Sequence, residues 1–478
     1  MAGVLEVALD LPPTGSRQVR RVLHAQLKAA ILDGRLAPGL QLPASRALAE
    51  QLALSRNSVI AVYDLLLAEG YLESRPGAGS FIARALPRAI SPSEPAPPPF
   101  LLRDQWRGAQ PRMAFLEKAE ADFRLGRADL RFFPFKIWAR LANRSLRHFA
   151  RTNSPSYYSP AGHPALRKAI AGHVSFTRAV ACTADDIVVT AGSQQAFDLL
   201  ARLLVTPERP VVAMEDPGYV LARASFAKAG AKIAPVPVDG EGLMVEHLPS
   251  DTAIIYVTPS HQFPLGVPMS LARRQQLLDF ARRQGAVIIE DDYDSEFRFA
   301  GHPLDALKTL DRDGRVFYVA TFSKSLFTAL RLGFVVAPPW ALDPLRAVRQ
   351  MTDLFSPPVD QETLASFIAE GHLARHVRRM RKLYAERRLA LQDALALSCD
   401  GLLRPVPALA GLHLSALFGP AAKPERIAER AMQAGIAVET IGRYAIKPLA
   451  EDGLAFGYGT IDAERINGAI RTLAKLLT

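Results

Sequence analysis

Apolar residues return at a helical period early in the chain. In "RRVLHAQLKAAILDG", Val22 or Leu23, Leu27 and Ile31 share one face before Gly34 and Pro38 end the element. The spacing predicts a second helix over Ala44 to Leu52. After "ALS" it predicts a third in "SRNSVIAVYDLLLAEG", where Ser55 is the N-cap, Val59, Val62, Leu65 and Leu66 form the apolar face, and Gly70 is the stop. "YLESRPGAGSFIA" then alternates around a Pro-Gly-Ala-Gly tip, the pattern of a short hairpin. The order reads helix, helix-turn-helix, wing.

Farther on, "DIVVT", "PVVAME", "TAIIYVT", "AVIIED" and "RVFYVATF" are strand-like runs separated by helical stretches such as "SQQAFDLLARLL". That alternation predicts an α/β domain, a parallel sheet covered by helices on both faces. From about 375, helices mix with short strands such as "LHLSAL" and "LAFGYG", predicting a smaller α+β lobe at about 370–478. Between the two patterns, "RAISPSEPAPPPF" places five prolines in the eight residues 92–99, which forbids a helix ladder and favours a semi-rigid polyproline spacer. The expected organisation is multidomain: 16–84, a linker at 85–115, and 116–478.

Composition narrows the class. The 49% hydrophobic and 22% charged fractions are those of a folded chain, and no apolar run approaches the roughly 18 residues of a membrane span. The N-terminal "MAGVLEVALDLPPTG" lacks a basic stretch followed by an apolar one, and Cys182 and Cys399 are too few for a disulfide framework, so a cytoplasmic protein is expected, with no metal. The net charge of +11 suits a polyanionic partner. It is uneven: 13 Lys or Arg face 6 Asp or Glu over 85–152, against 9 and 7 over 1–84.

A helix-turn-helix presents the start of its second helix to the major groove, so base contacts fall on Arg56 and Asn57, whose side chains suit guanine and adenine. Ser55 and Ser58 can take phosphate oxygens, and Arg46, Arg75, Gly77 and Gly79 can approach the backbone or minor groove. Across 17–84 the sequence closely resembles the winged-helix domain of the GntR family of bacterial transcription regulators. In that family the residues matching Arg46, Arg56, Asn57, Ser58 and the wing glycines face an operator in double-stranded DNA.

In "FYVATFSKSLFTALRLG", Lys324 closes a strand between two hydroxyl residues. A Schiff-base site for pyridoxal 5′-phosphate (PLP) needs such a lysine, a carboxylate for the pyridine nitrogen, a phosphate cradle and a donor to the phenolic oxygen. Asp291 and Tyr293 in "AVIIEDDYD" supply the carboxylate and the donor. Gly192, Ser193 and Gln194 stand between a strand and a helix, where backbone N–H groups hold phosphate. Ser323 and Arg331 add phosphate contacts, and Tyr219 in "EDPGYV" can cover the ring.

From about 120 to 475 the chain resembles a fold-type I aminotransferase. "TAGSQQAFDLLARLL", "EDPGY", "YVTPSHQFPLGVPMSLARRQQLLDFA", "IIEDDYDSEFR" and "TFSKSLFTALRLG" resemble the MocR subfamily, in which that fold is joined to a GntR reading head. The resemblance implies an internal aldimine at Lys324, Asp291 at the ring nitrogen, Tyr293 near O3′, Ser193, Gln194, Ser323 and Arg331 near the phosphate, and Tyr219 on the ring. It also implies a domain-swapped homodimer, with Tyr157 or Tyr158 bordering the site from the other subunit. Two departures stand out. Phe263 occupies the position of the aminotransferase asparagine that bonds O3′, moving that contact to Gln262 or Tyr293. Thr460 aligns with the arginine that grips a substrate carboxylate, and Leu221 replaces a second arginine, leaving Arg223 and Arg443 as the nearby cations. The expectation is a PLP-dependent regulator without sustained turnover, responding to PLP itself (vitamin B6 control) or to a small amine or amino acid. The rival is a working aminotransferase with an appended DNA-binding domain.

Overall fold

The computed structural model describes residues 5, 7–12, 16, 18–84, 118–152, 159–299, 305–419 and 423–477. The expected linker, Tyr157 and Tyr158 lie outside the described residues. Two compact units divide near Ala109 and Gln110.

In the first unit, α1 (Val19–Leu32), α2 (Ser45–Gln51) and α3 (Arg56–Ala68) precede a hairpin of β1 (Leu72–Arg75) and β2 (Gly79–Ile82). The face read from the sequence is buried: Leu23, Leu27, Ile31, Leu48, Val59, Val62 and Leu66 form one core. Leu65 points outward instead and is half exposed, because Leu66 takes the inward position of that turn. The α2–α3 turn uses Ala53 in a left-handed conformation, and Ser55 caps α3 by accepting the Ser58 N–H at 3.2 Å. Residues ahead of α1 join this core through buried Leu5, whose backbone N–H and carbonyl both bond the Gln51 amide, at 3.0 and 2.7 Å.

The second unit opens with β3 (Ala121–Asp122), α4 (Phe135–Thr152) and α5 (Pro164–Arg178). Strand and helix then alternate through β4 (Ile187–Thr190), α6 (Ser193–Leu204), β5 (Val211–Asp216), α7 (Val220–Lys228), β6 (Lys232–Asp239), β7 (Gly242–Leu243), β8 (Ile254–Val257), α8 (Leu271–Gln284), β9 (Val287–Asp292), α9 (Leu307–Leu310), β10 (Val316–Thr321) and β11 (Gly333–Val336). The eight strands form one sheet in the order β4-β11-β10-β9-β8-β5-β6-β7. Strands β4, β5, β8, β10 and β11 are buried at every position, as a sheet covered on both faces requires.

The expected parallel sheet is mixed. Strands β6, β5, β8, β9 and β10 run parallel, but β11 is antiparallel to both β10 and β4. The reason is chain length. Only residues 322–332 separate β10 from β11, too few for the crossover helix that a parallel return needs. That tight return carries Lys324 and Arg331.

Helices α10 (Leu342–Asp353), α11 (Pro358–Ala369) and α12 (His372–Ser398) lead into the smaller lobe. There β12 (Leu403–Pro405), β13 (His413–Phe418), α13 (Pro424–Gln433), β14 (Ile436–Ala437), β15 (Glu439–Thr440), β16 (Gly453–Gly457) and α14 (Ala463–Leu477) complete the chain. A four-stranded antiparallel sheet runs β12-β13-β16-β15, while β14 pairs in parallel with β3. The lobe is therefore completed by the segment that starts this unit, and Phe123 meets Phe456 edge-on within its core.

Candidate functional site

Lys324 follows β10 directly, and its Nζ donates to the Gly126 carbonyl at 2.7 Å. Burial lowers the pKa of this amine, against the pull of Asp294 and Asp291. Gly126 is left-handed (φ 75°), which favours glycine, and a Cβ there would stand 2.7 Å from Nζ and push the Lys324 amine aside.

Asp291 lies on β9, beside Val319 of β10. Its Oδ2 accepts the Tyr256 hydroxyl at 2.6 Å, whereas its Oδ1 is buried with no hydrogen-bond partner among the described residues. Burial pushes the carboxyl up to about 7, partly opposed by the Tyr256 hydrogen bond. The adjacent Asp292 faces the other side of the strand, paired with Arg178 at 2.7 Å and accepting the Tyr318 hydroxyl at 2.6 Å.

Arg331 is left-handed (φ 50°) and donates to the Ala191 carbonyl at 2.8 Å. A Cβ on Gly192 would fall 2.7 Å from the same guanidinium, so the arginine lies against the N-terminus of α6, where Ser193 is the first residue. The Ser323 hydroxyl lies 3.0 Å from that of Thr321 in the same return. Ser193, Ser323 and Arg331 are thus brought together with Lys324, and the helix end adds N–H donors. The Gln194 side-chain nitrogen donates to Ser225 at 2.8 Å and to the Leu221 carbonyl, so it ties α6 to α7, and what the residue has for an anion is its backbone N–H, the group the sequence reading assigned to it.

Tyr219 packs edge-on against Phe197 and Phe263, and its hydroxyl is pushed up to about 12, chiefly by burial and then by Asp291. Phe263 is ringed by Tyr219, Tyr293, His413 and Tyr444 at 4.9–6.0 Å between ring centres. Of the two alternatives for the missing asparagine contact, Gln262 is committed elsewhere: its amide donates to Glu215 and the Pro217 carbonyl and accepts the Leu265 N–H. Tyr293 is the remaining donor, with its hydroxyl 2.9 Å from the His261 carbonyl and 3.0 Å from His261 Nδ1.

These residues fit PLP on two observations. The orphaned Oδ1 of Asp291 is the acceptor that a protonated pyridine nitrogen requires, and the Arg331 guanidinium at the α6 N-terminus is a dianion cradle. Gly126, Tyr256, His261 and His413 were missed from sequence. Only Tyr256 left a signal, a hydroxyl inside the otherwise apolar run "TAIIYVT".

On the first unit, Arg56 and Asn57 are exposed at the start of α3, and Arg46 is exposed beside Glu50. The Ser55 and Ser58 hydroxyls lie 2.9 Å apart, so one hydrogen is used between them and the other is left for a ligand. At the wing, Arg75 covers the Phe81 ring at 4.4 Å, and Gly77 and Gly79 both take positive φ. The expected DNA-facing residues thus lie at the exposed start of α3, at Arg46 on α2 and at the hairpin tip, with Arg75 partly held by its ring contact.

The aminotransferase class I and II family matches residues 122–432, and the bacterial regulatory gntR family matches residues 20–82. The chain is 39% identical to the probable rhizopine catabolism regulatory protein MocR of Rhizobium meliloti, over 98% of this chain and 94% of that one. The chain belongs to the MocR subfamily of GntR-type transcription regulators. It is also 31% identical to the pyridoxine biosynthesis transcriptional regulator PdxR of Corynebacterium glutamicum, over 98% of each chain. A Thermus thermophilus α-aminoadipate aminotransferase, solved with N-(5′-phosphopyridoxyl)-L-leucine, is 28% identical with a TM-score of 0.68, covering 74% of this chain and 91% of that one.

In this MocR-subfamily chain the expected carboxylate position is corrected by the fold. Thr460 lies beyond β16, where its carbonyl accepts from Arg131 at 3.2 Å within a cluster of Arg131, Asp129, Arg387 and Asp462. The β16 residue that packs with Phe263 and Tyr444 is Ala455, because strand alternation decides which positions face that cluster. Neither nearby cation takes up a clamp: Arg223 donates to the Tyr444 carbonyl at 3.4 Å, and Arg443 pairs with Glu439 at 3.1 Å.

Proposed function

We propose that this MocR-subfamily regulator binds PLP through Lys324 and that the state of this site alters operator binding by the winged helix. The observation that carries the reading is the convergence of a buried amine of lowered pKa, the orphaned Asp291 oxygen and the Arg331–α6 anion cradle around one strand return. PLP, when bound, supplies an aldehyde for the Lys324 amine and an electron-accepting ring. The protein's own part is positional: Asp291 holds a proton at the ring nitrogen, Tyr293 donates to the phenolic oxygen, Ser193, Ser323 and Arg331 anchor the phosphate, and Tyr219 excludes water from one ring face. Arg56 and Asn57 read bases, while Arg46, Ser58 and the wing contact the DNA backbone.

Ala455 at the aromatic cluster and the committed Arg223 and Arg443 favour a signal that needs no carboxylate clamp, PLP itself or an amine. The C. glutamicum relative named for pyridoxine biosynthesis supports control of vitamin B6 supply by the same signal. The test is an absorbance spectrum of purified protein, then titration with PLP and candidate amines while operator binding is followed. Wild type acquires a visible absorbance band and a changed operator affinity, and Lys324→Ala loses both. An unchanged response in Lys324→Ala sinks the reading, and sustained keto acid production over many cycles supports the aminotransferase alternative. A domain-swapped homodimer, checked by light scattering, would place two reading heads on two half-sites.

A further inference from the structure

Behind Tyr293, the residues His261, Asp294 and His413 form a polar cluster near Lys324, and the proposed function leaves these three unused. The three ligand-type atoms of His261, Asp294 and His413 lie within 4.8 Å of one another, all three residues buried. Their contacts define which atoms carry hydrogens. Asp294 Oδ2 accepts the Leu412 N–H at 3.1 Å and stands 3.1 Å from His261 Nδ1. A carboxylate only accepts, so Nδ1 carries the hydrogen toward it. The Tyr293 hydroxyl donates to the His261 carbonyl at 2.9 Å, so toward Nδ1, at 3.0 Å, its oxygen is the acceptor.

His261 cannot readily turn away from this arrangement. A Cβ at Gly411 would fall 1.9 Å from its ring and one at Gly266 3.1 Å from Nε2, so glycine at both positions lets the backbone close over the imidazole. His413 packs on it with ring centres 4.4 Å apart, while donating from Nε2 to the Pro264 carbonyl at 3.0 Å. An imidazole so confined, with one N–H shared between a carboxylate and a phenol oxygen, is a directed donor.

We propose that His261, oriented by Asp294, is a positioning residue that sets the donor strength of Tyr293 toward the 3′-oxygen of bound PLP. This rests on the PLP reading above. A hydroxyl whose oxygen accepts a hydrogen bond becomes a stronger donor through its own hydrogen. A 3′-oxygen within reach of Tyr293 would take the hydrogen now given to the His261 carbonyl, while Nδ1–H continues to polarise the hydroxyl. Donation to that oxygen weakens its hold on the proton of the Lys324 Schiff-base nitrogen, so the device keeps the Schiff base easier to deprotonate. The role matters here because Phe263 stands where the family's asparagine donor would be, leaving Tyr293 as the donor to that oxygen.

Other groups act on the same proton. Asp291, Asp292 and Asp294 come from the Tyr293 segment and Glu215 from the end of β5. Lys324 and Arg331 come from the strand return, His413 from β13, and Tyr219 and Tyr256 face Asp291. All of them remain when His261 alone is changed.

The experiment is a pH titration of the Schiff-base absorbance in PLP-loaded wild type, His261→Phe, His261→Asn, Asp294→Asn, Tyr293→Phe and the His261→Phe/Tyr293→Phe double variant. His261→Phe is expected to raise the midpoint by about one pH unit, a tenfold change in proton affinity. His261→Asn, with an amide N–H near the Nδ1 position, should restore most of it, whereas Asp294→Asn also removes a negative charge that holds the proton on the Lys324 nitrogen, so only the part of its shift that disappears in the Tyr293→Phe background reports the hydroxyl. In the Tyr293→Phe background the His261→Phe change should add nothing, because the two act through one hydroxyl. An unmoved midpoint in His261→Phe overturns the proposal, as do additive shifts in the double variant. Loss of PLP absorbance in wild type would instead overturn the PLP reading. If His261→Phe does not fold, Asp294→Asn measured with Tyr293 and with Tyr293→Phe gives the decision: a shift left unchanged by the Tyr293→Phe background overturns the proposal.

Discussion

Asp291 carries a pH dependence whose sign follows from its burial. An aspartate carboxyl ordinarily titrates near 3.8, and burial pushes this one up to about 7 in the folded chain. Between those values the folded state binds more protons than the unfolded one, so its contribution to stability falls as pH rises from about 4 to about 7. Asp291→Asn removes this term. Thermal melts of PLP-free protein should show the variant gaining on wild type across that window and holding its advantage above it, while PLP affinity drops because the asparagine cannot pair with a protonated ring nitrogen. Equal pH profiles for the two proteins would refute the assignment. At Gly126, alanine meets both a left-handed backbone and the Lys324 amine. Gly126→Ala should destabilise by about 1–2 kcal/mol, read as a lower melting temperature, and should reduce the fraction of Lys324 that carries PLP. Residues of this kind were hidden in the sequence. Gly126 and Lys324 are far apart along the chain, and nothing local to either announces that one carbonyl caps the other's amine.

Elements were more legible than residues. The caps and apolar faces of α1 to α3 are local features, so Ser55, Val59 and Leu66 could be placed from spacing alone. Ser55→Ala should cost about 1 kcal/mol of stability, checked by urea denaturation of the full chain. On the same helix, Arg56→Ala should weaken binding to the cognate operator by about 1–3 kcal/mol and relax selectivity at one base pair. Arg46→Ala should weaken binding evenly across sequences and reduce the slope of log affinity against log salt by about one. Fluorescence anisotropy at several salt concentrations separates the two. Strands β4, β5, β8, β9 and β10 were equally plain as apolar runs, but β6, β7 and β11 were not read, and strand direction was not legible. That β11 runs against β10 follows from the short return 322–332, a matter of chain length that hydrophobic patterning does not encode. The pairing of β3 with β14 was invisible, since two-residue strands have no period to read.

At the scale of the whole molecule, the sequence divides into two kinds of information. The motifs that bring chemistry, Lys324, Asp291, Tyr293 and the α6 N-terminus, lie at strand ends and could be named before the fold was known. What surrounds them comes from segments more than a hundred residues away: Tyr444 and Ala455 against Phe263, and Leu412 against Asp294. The misplacement of the carboxylate position at Thr460 has this origin, because only the register of β13 with β16 decides which side chains of "LAFGYGTI" face the site. The short return between β10 and β11 has one more consequence. It bears an aldehyde anchor and a phosphate anchor seven positions apart on a single tether, so under the proposed function the protein grips PLP as a chelating agent grips an ion. Release at either end leaves the other attached, and the effective concentration for recapture is set by the loop. Escape therefore requires both grips to open together. The chain should hold PLP through prolonged dialysis and lose it quickly once Arg331→Ala reduces the grip to one.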